Sequence, residues 1–368
     1  MERYIALLKE FLQELTASSE VSAEALFAET QAKAKGGDVV AQRNLGVLYA
    51  LGAGVGQDAA KALHWFQLAA YSDDAVAQYI LGVIYEEGAG EDSDPAEALK
   101  WYRNSAEQGY ATAQNCLGWM YRWGVGVPQD YAEAVKWYRK AAKQGDAKAQ
   151  RNLAVMYYEG YGVRKDAAKA MVWFREAAEQ GNVSAQFLLG AMYSAGGEDL
   201  PKNNIEAVKW YRKAAEQGDV SAQFLLGTMY FVGDGLPRND IEAVKWYRKA
   251  AKQGYASAQH SLGVMYEWGW GVPKDAATAV KWYRKSAKQG DRYGQRDLGL
   301  SYANGHGVPK NKEKAYIWLE RAVAQGKEDA CKMRDEIAAQ LTPAQLARAK
   351  KAASQPLDVE VFDAESTA

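Results

Sequence analysis

Apolar and polar positions in this chain follow one template again and again. In residues 219–254, Ala222, Leu226, Met229 and Tyr230 recur at i, i+4, i+7 and i+8. After a break, Ala243, Trp246, Tyr247, Ala250 and Ala251 recur at i, i+3, i+4, i+7 and i+8. Each run places an apolar stripe along one side of a helix. Between them Gly233, Gly235 and Pro237 break the pattern, Asn239 or Asp240 can cap the second helix, and Gly254 closes it. The spacing predicts helix A, a short loop and helix B, an α-hairpin.

The hairpin recurs along the chain. Tryptophans stand in one phase at Trp65, Trp101, Trp137, Trp173, Trp210, Trp246, Trp282 and Trp318, 36 residues apart except for one step of 37. The units tile as 38–73, 74–109, 110–145, 146–181, 182–218, 219–254, 255–290 and 291–326. The fifth carries its extra residue in the loop Gly196-Gly197-Glu198-Asp199-Leu200-Pro201. A fixed period of this length marks a solenoid or array that grows by adding units. Glycine follows leucine in helix A of seven units, with Ala154 in the other. Since mid-helix glycine costs about 1 kcal/mol, its recurrence implies close helix approach. The phased tryptophan is expected to be the plug between hairpins, and the recurrent glutamine (Gln42 in the first unit) to bond carbonyls of an adjoining loop.

The third unit runs from Ala113-Gln114 through Leu117-Gly118, Tyr121, Gly124, Gly126-Val127-Pro128 and Trp137-Tyr138 to Gly145. This pattern resembles the Sel-one-like repeat, a relative of the tetratricopeptide repeat, and the resemblance spans residues 38–326. It implies an all-α fold, a right-handed α-α superhelix (solenoid) whose A helices line the concave side. It also implies a non-enzymatic role as scaffold or adaptor, commonly in bacteria, binding a protein or peptide in that groove. One branch of the family is linked to β-lactam hydrolysis, but that branch carries a cysteine pair in each repeat. This chain has only Cys116 and Cys331, so a hydrolase is the disfavoured alternative.

At the ends the pattern changes. Tyr4, Ile5, Leu7, Leu8, Phe11, Leu12 and Leu15 share a helical stripe, and residues 22–35 look like a degenerate helix B without its tryptophan. Residues 1–37 are therefore expected to cover the open face of the first unit, as terminal caps must. After Gly326, residues 327–355 predict closing helices, the last opened by Thr342, Pro343 and Gln345 as a capping box. The tail 356–368 holds four acids and no base and is expected to be disordered.

Charge narrows the partner. With 45 basic and 46 acidic residues, the net charge of −1 argues against nucleic acid, which demands a basic stripe. The residues after the recurrent glutamine (Arg43, Tyr79, Asn115, Arg151, Phe187, Phe224, His260 and Arg296) mix aromatics with both polar and basic groups, unlike an RNA-reading code. Runs such as Lys136-Trp137-Tyr138-Arg139-Lys140 read as solvated helix faces. There is no run of 18 apolar residues, hence no transmembrane segment. The N-terminus has no secretory pattern and the two cysteines lie some six repeats apart, so as written the chain reads as cytoplasmic, with an exported mature form left open.

Catalytic chemistry is thin. His64, His260 and His306 are scattered, and no metal pair, nucleophile elbow or phosphate loop occurs. The acidic loop Gly90-Glu91-Asp92-Ser93-Asp94 lacks the ligand spacing of a calcium site. No cofactor or metal is expected. Differences between copies then point to a site. Trp119, Trp123, Trp268 and Trp270 stand outside the tryptophan phase, and Phe187, Phe224 and Phe231 add aromatics to helix A of the middle units. Two readings remain: anchors for a partner, or fillers of local packing gaps.

Overall fold

The computed structural model describes residues 2–17, 21–88, 93–197 and 201–357. Gly90, Glu91 and Asp92 of the acidic loop, residues 198–200 of the fifth loop, and the tail from residue 358 lie outside them. Two helices lead, α1 (Glu2–Ala17) and α2 (Ala23–Lys35). The A helices are α3 (Val39–Leu51), α5 (Ala75–Glu87), α7 (Ala111–Trp123), α9 (Ala147–Glu159), α11 (Val183–Ala195), α13 (Val220–Val232), α15 (Ala256–Trp268) and α17 (Arg292–Asn304). The B helices between them are α4 (Ala59–Tyr71), α6 (Pro95–Glu107), α8 (Tyr131–Lys143), α10 (Ala167–Glu179), α12 (Asn204–Glu216), α14 (Asp240–Lys252), α16 (Ala276–Lys288) and α18 (Lys312–Ala324). A short 3-10 turn (Glu328–Ala330), α19 (Cys331–Ala338) and α20 (Pro343–Ser354) close the chain. The helices assemble into two compact bodies, Met1–Ala185 and Gln186–Ala368.

Local chemistry sets each helix boundary. Asp146 accepts from the Ala149 amide at the start of α9, and Asn239 rather than Asp240 caps α14 by accepting from Glu242. These side chains satisfy amides that have no partner inside the helix. A left-handed glycine ends each A helix whose cap is described, as at Gly124, φ 69°. Two residues on, Gly126 sits at φ 68° with a β carbon's place already taken by the Pro95 carbonyl, so only glycine fits.

Inside each hairpin, the gap between helix A and helix B is filled from helix B by a residue other than the tryptophan. The residue after the tryptophan fills the gap: Phe66, Tyr102, Tyr138, Phe174, Tyr211, Tyr247, Tyr283 and Leu319 are all buried. In seven hairpins a β carbon on the helix-A glycine would meet this side chain at 2.5 to 2.8 Å, as Gly118 does against Tyr138. The expected close approach is thus real, and its object is the neighbouring ring. The tryptophans lie one position further round helix B. Trp210, Trp246 and Trp318 are buried, whereas Trp65, Trp101, Trp137, Trp173 and Trp282 are only partly so. Lys140 lies 3.9 Å over the Trp137 ring and Lys249 3.8 Å over Trp246. These are amphipathic contacts on the outer side of helix B.

The recurrent glutamine reaches the preceding helix rather than a loop. Gln114 Nε2 donates to the Ala106 carbonyl at 3.0 Å, and Gln223 Nε2 to that of Ala215 at 3.0 Å. Those carbonyls belong to the last turn of helix B, and each also accepts from the amide of the glycine that closes it, Gly109 or Gly218. The glutamine oxygen accepts in turn from a second glutamine that caps the helix B of its own hairpin. Gln144 bonds Gln114 at 2.9 Å in the first body, and Gln253 bonds Gln223 at 2.9 Å in the second. The first hairpin has Ser72 at that cap, and Gln42 Oε1 is left buried without a partner.

The basic runs on helix B are only partly solvated. Arg139 donates to the Tyr157 hydroxyl of the next A helix at 3.0 Å, and Arg248 does the same to Tyr266 at 3.1 Å. Lys136 instead pairs with Glu133 at the surface.

At the N-terminal end α2 packs on α3 as a helix B packs on the next A helix, whereas α1 lies across the A helices α3 and α5. Tyr4 and Leu8 are buried there. Arg3 Nη1 donates to Glu86 at 2.7 Å, and its Nη2 lies 3.1 Å from the Cys116 thiol. Burial pushes that thiol up to about 11. Cys116 and Cys331 are both free. At the other end α20, opened by the Thr342–Gln345 capping box, packs on α18, and Arg321 donates to the carbonyls of Ala352 and Gln355.

Candidate functional site

On each A helix one face carries a position that varies between copies. Residues aligned with Val47 of the first hairpin mark it: Val83, Trp119, Val155, Ala191, Thr228, Val264 and Leu300. Helix α1 covers this face in the first two hairpins, where Val47 and Val83 are 1% and 0% exposed. At the third hairpin the cover ends, and Trp119 is 39% exposed. Trp123 lies one turn along α7 at 56%, with the Arg122 guanidinium 5.0 Å from its ring. In the second body Trp268, aligned with Trp123, is 60% exposed. Large apolar groups left in water on otherwise packed helices mark contact surfaces.

The aromatics singled out by sequence divide into two kinds. Trp268 and Trp270 stack at 5.9 Å, and Phe231 joins them with its ring 5.3 Å from Trp270. These three form one patch in the second body. Phe187 and Phe224 are half-buried and lean on plug tyrosines, each 5.8 Å from Tyr211 or Tyr247 respectively. They occupy the slot that Tyr79 and His260 fill elsewhere, against Tyr102 and Tyr283.

Beside each open tryptophan lies a polar cluster that sequence reasoning missed. In the second body, Val264, Glu267, Trp268, Arg296, Asp297, Ser301, Asn304 and His306 are among the residues lining a cleft of about 320 Å³. The Tyr283 hydroxyl donates to Glu267 at 2.5 Å. His260 Nε2 is 2.8 Å from Asp297 Oδ2, and Arg296 Nε donates to Asp297 Oδ1 at 2.6 Å. Burial alone would push the Asp297 carboxyl up, but the bonds from His260 and Arg296 hold it below the ordinary range. Every charge in this cluster has a counter-charge or a donor.

The first body carries different groups in the same slots. Asn152 Nδ2 donates to Asn115 Oδ1 at 2.8 Å, where His260 and Asp297 meet in the other body. Arg122 stands in the slot of Glu267, and Arg151 in that of Arg296. The Tyr138 hydroxyl between them is buried without a well-formed hydrogen bond, and Nε of Arg151 is buried without a partner. Burial raises the Tyr138 hydroxyl's pKa, and the charges of Arg122 and Arg151, together with a contact from the Arg122 guanidinium, oppose that shift. The signal available in sequence was the departure of these slots from one hairpin to the next, but the residues lie nearly a full repeat apart.

Among the described residues no cluster of three or more histidine, cysteine, aspartate or glutamate side chains could hold a metal, and no helix is long and apolar enough to cross a membrane.

Such stacked hairpins, with variable side chains on their A helices, define an all-α repeat protein. The Sel1 repeat family matches at residues 39–74, 75–110, 111–146, 147–182, 183–219, 220–255, 256–291 and 292–327, each one residue later than the tiling by tryptophan phase. The chain belongs to the Sel1 repeat family. Two solved structures are similar over most of its length. A protective antigen of uropathogenic Escherichia coli strains, with an SLR fold, is 34% identical over 95% of this chain and 82% of its own, at a TM-score of 0.54. A Sel1 repeat protein from Oxalobacter formigenes is 31% identical over 87% of this chain and 94% of its own, at 0.63. A search of curated proteins finds no match. Sel1 repeat proteins are typically protein-interaction scaffolds.

Proposed function

We propose that this protein is a non-enzymatic scaffold that holds a protein or peptide segment against the exposed face of its A helices. Trp119 and Trp123 anchor it in the first body, and Trp268, Trp270 and Phe231 in the second. The observation that carries this reading is the exposure of Trp119, Trp123 and Trp268 on helices whose other large residues are packed. Helix α1 adds support. A segment of the chain itself already lies across the same face of α3 and α5, apolar side inward. An amphipathic segment resting on a helical face is a familiar recognition mode.

A photo-crosslinking amino acid placed at position 119, 123 or 268, and at the outer helix-B position 136 as control, tests the reading in extract of the source cells. Discrete adducts from the A-helix positions and none from position 136 are expected. Equal labelling from all four would remove the A-helix face as the site. Turnover of a defined substrate, lost on substitution of these residues, would overturn the non-enzymatic assignment.

A further inference from the structure

We infer that the third and fourth hairpins form a carboxylate-binding site, with Arg122 and Arg151 receiving an acidic peptide segment of a partner protein whose apolar side chain rests on Trp119 and Trp123. The inference rests on the A-helix reading above and supplies the partner's chemistry.

The argument begins with what the other hairpins do in the same slots. In the second, Glu86 stands in the slot of Arg122 and accepts from the Tyr102 hydroxyl at 2.5 Å and from Arg3 at 2.7 Å. In the seventh, Glu267 accepts from Tyr283. In the sixth, where Phe231 stands in that slot, the Tyr247 hydroxyl donates instead to Thr228, in the slot of Trp119, at 3.2 Å. Only in the third does an arginine face the plug tyrosine from this slot, and there the Tyr138 hydroxyl meets Arg122, a donor, in place of a carboxylate and makes no well-formed bond.

The slot of Arg151 tells the same story. Arginine occurs there three times, and twice it is paired. Arg43 donates to Asp74, the cap of the following A helix, at 2.9 Å. Arg296 donates to Asp297 at 2.6 Å and to Asp329 at 2.9 Å. For Arg151 the following cap is the neutral Asn182, and the residue beside it is Asn152 where Arg296 has Asp297. Neither Arg122 nor Arg151 forms an ion pair among the described residues. Arg3 is engaged by Glu86, and Glu159, exposed at the end of α9, pairs with neither arginine.

Three acids found elsewhere are thus missing and one base is added, in a half-buried place beside two open indoles. A buried charge without a counter-charge is costly, and a guanidinium fork matches a carboxylate in two bonds. The carboxylates that the seventh and eighth hairpins carry themselves must come here from outside.

The test is fluorescence polarisation with the full chain at moderate salt. The probe is a labelled peptide of alternating glutamate and serine around a central phenylalanine, with glutamine and lysine versions as comparisons. The glutamate peptide is expected to bind more tightly than either. Arg122→Glu restores the pairing that Glu86 and Glu267 make, so it keeps the fold while weakening the glutamate peptide by about tenfold or more. Arg151→Gln is expected to weaken it in the same direction.

Equal affinity for the glutamine peptide, or an Arg122→Glu protein that binds as before, would overturn the inference. So would a single-stranded RNA that outcompetes the peptide, because the site would then belong to phosphate. Binding of all three peptides that Trp123→Ala removes and Arg122→Glu does not would leave the A-helix scaffold standing and sink the carboxylate. Absence of all binding would also overturn the inference, while the crosslinking experiment decides the scaffold separately.

Discussion

The third and fourth hairpins and the seventh and eighth carry one frame with opposite contents. Each pair places an exposed tryptophan at the end of helix A, a plug tyrosine beneath it and a polar contact from one A helix to the next. In the later pair Glu267 and Asp297 neutralise their surroundings from within. In the earlier pair Arg122, Asn115 and Asn152 occupy the matching slots, and Arg151 forms no ion pair among the described residues. A repeat thus separates two tasks. The residues that recur hold the hairpin, and slots on its open face vary in charge with little effect on the frame. Similar tryptophans then mark two surfaces of different chemistry.

The comparison is broken most forcefully at the plug. Tyr138→Ala and Tyr283→Ala should each lower stability by about 3–5 kcal/mol, because each removes a buried ring packed on a glycine. Urea unfolding followed by circular dichroism checks it. A large loss from one and a negligible loss from the other would mean that the two frames are not equivalent.

Removing only the hydroxyl should separate the pairs. Tyr283→Phe deprives Glu267 of its donor and should cost about 1.5–3 kcal/mol. Tyr138→Phe discards a buried hydroxyl with no well-formed bond and only the Arg122 guanidinium beside it, and should cost clearly less than Tyr283→Phe. Equal costs in the two melts would refute the contrast between satisfied and unsatisfied slots.

Acid gives a smaller difference. The Asp297 carboxyl is depressed in the folded state, so its contribution is complete above the unfolded value of about 4. That contribution is lost as pH falls through the lower folded value. Asp297→Asn should therefore flatten the acid side of the stability profile, while Asn152→Asp should introduce such a dependence beside Arg151. Unfolding midpoints measured between neutral and strongly acidic pH decide this, and an unchanged profile in Asp297→Asn would rule it out.

The smallest stability effect belongs to the exposed rings. Trp123→Ala and Trp268→Ala should shift stability by roughly 0.5 kcal/mol or less while removing crosslinks at their own surfaces. A loss of several kcal/mol from either would reassign that ring to packing.

The period, the hairpins, their caps and the close approach at glycine were all legible in the sequence, since each depends on residues near one another in the chain or on position within the repeat. The plug was not. Trp246 and Tyr247 both fall on the apolar stripe of α14, and only the contact with Gly227 on the facing helix selects the tyrosine. The stripe of α1 announced burial without saying against what, and it lies across α3 and α5. Trp119 and Trp123 could be found by comparing copies, because they break the tryptophan phase. Arg122 and Arg151 could not be joined that way, since their meeting place is the Tyr138 hydroxyl on a different helix.

The glutamine relay has a further consequence for how such a chain can change. Within each body, Gln114 and Gln223 bond one neighbour before them and one after, always to the same type of group at the same offset. A hairpin duplicated, deleted or exchanged as a whole repeat therefore arrives with its connectors already matched, whatever side chains its open face displays. A cut at any other length would leave a buried amide unmet, as Gln42 is at the relay's first step. The relay acts as a standard coupling, so that new combinations of binding surfaces can be assembled by recombination without redesigning the joints.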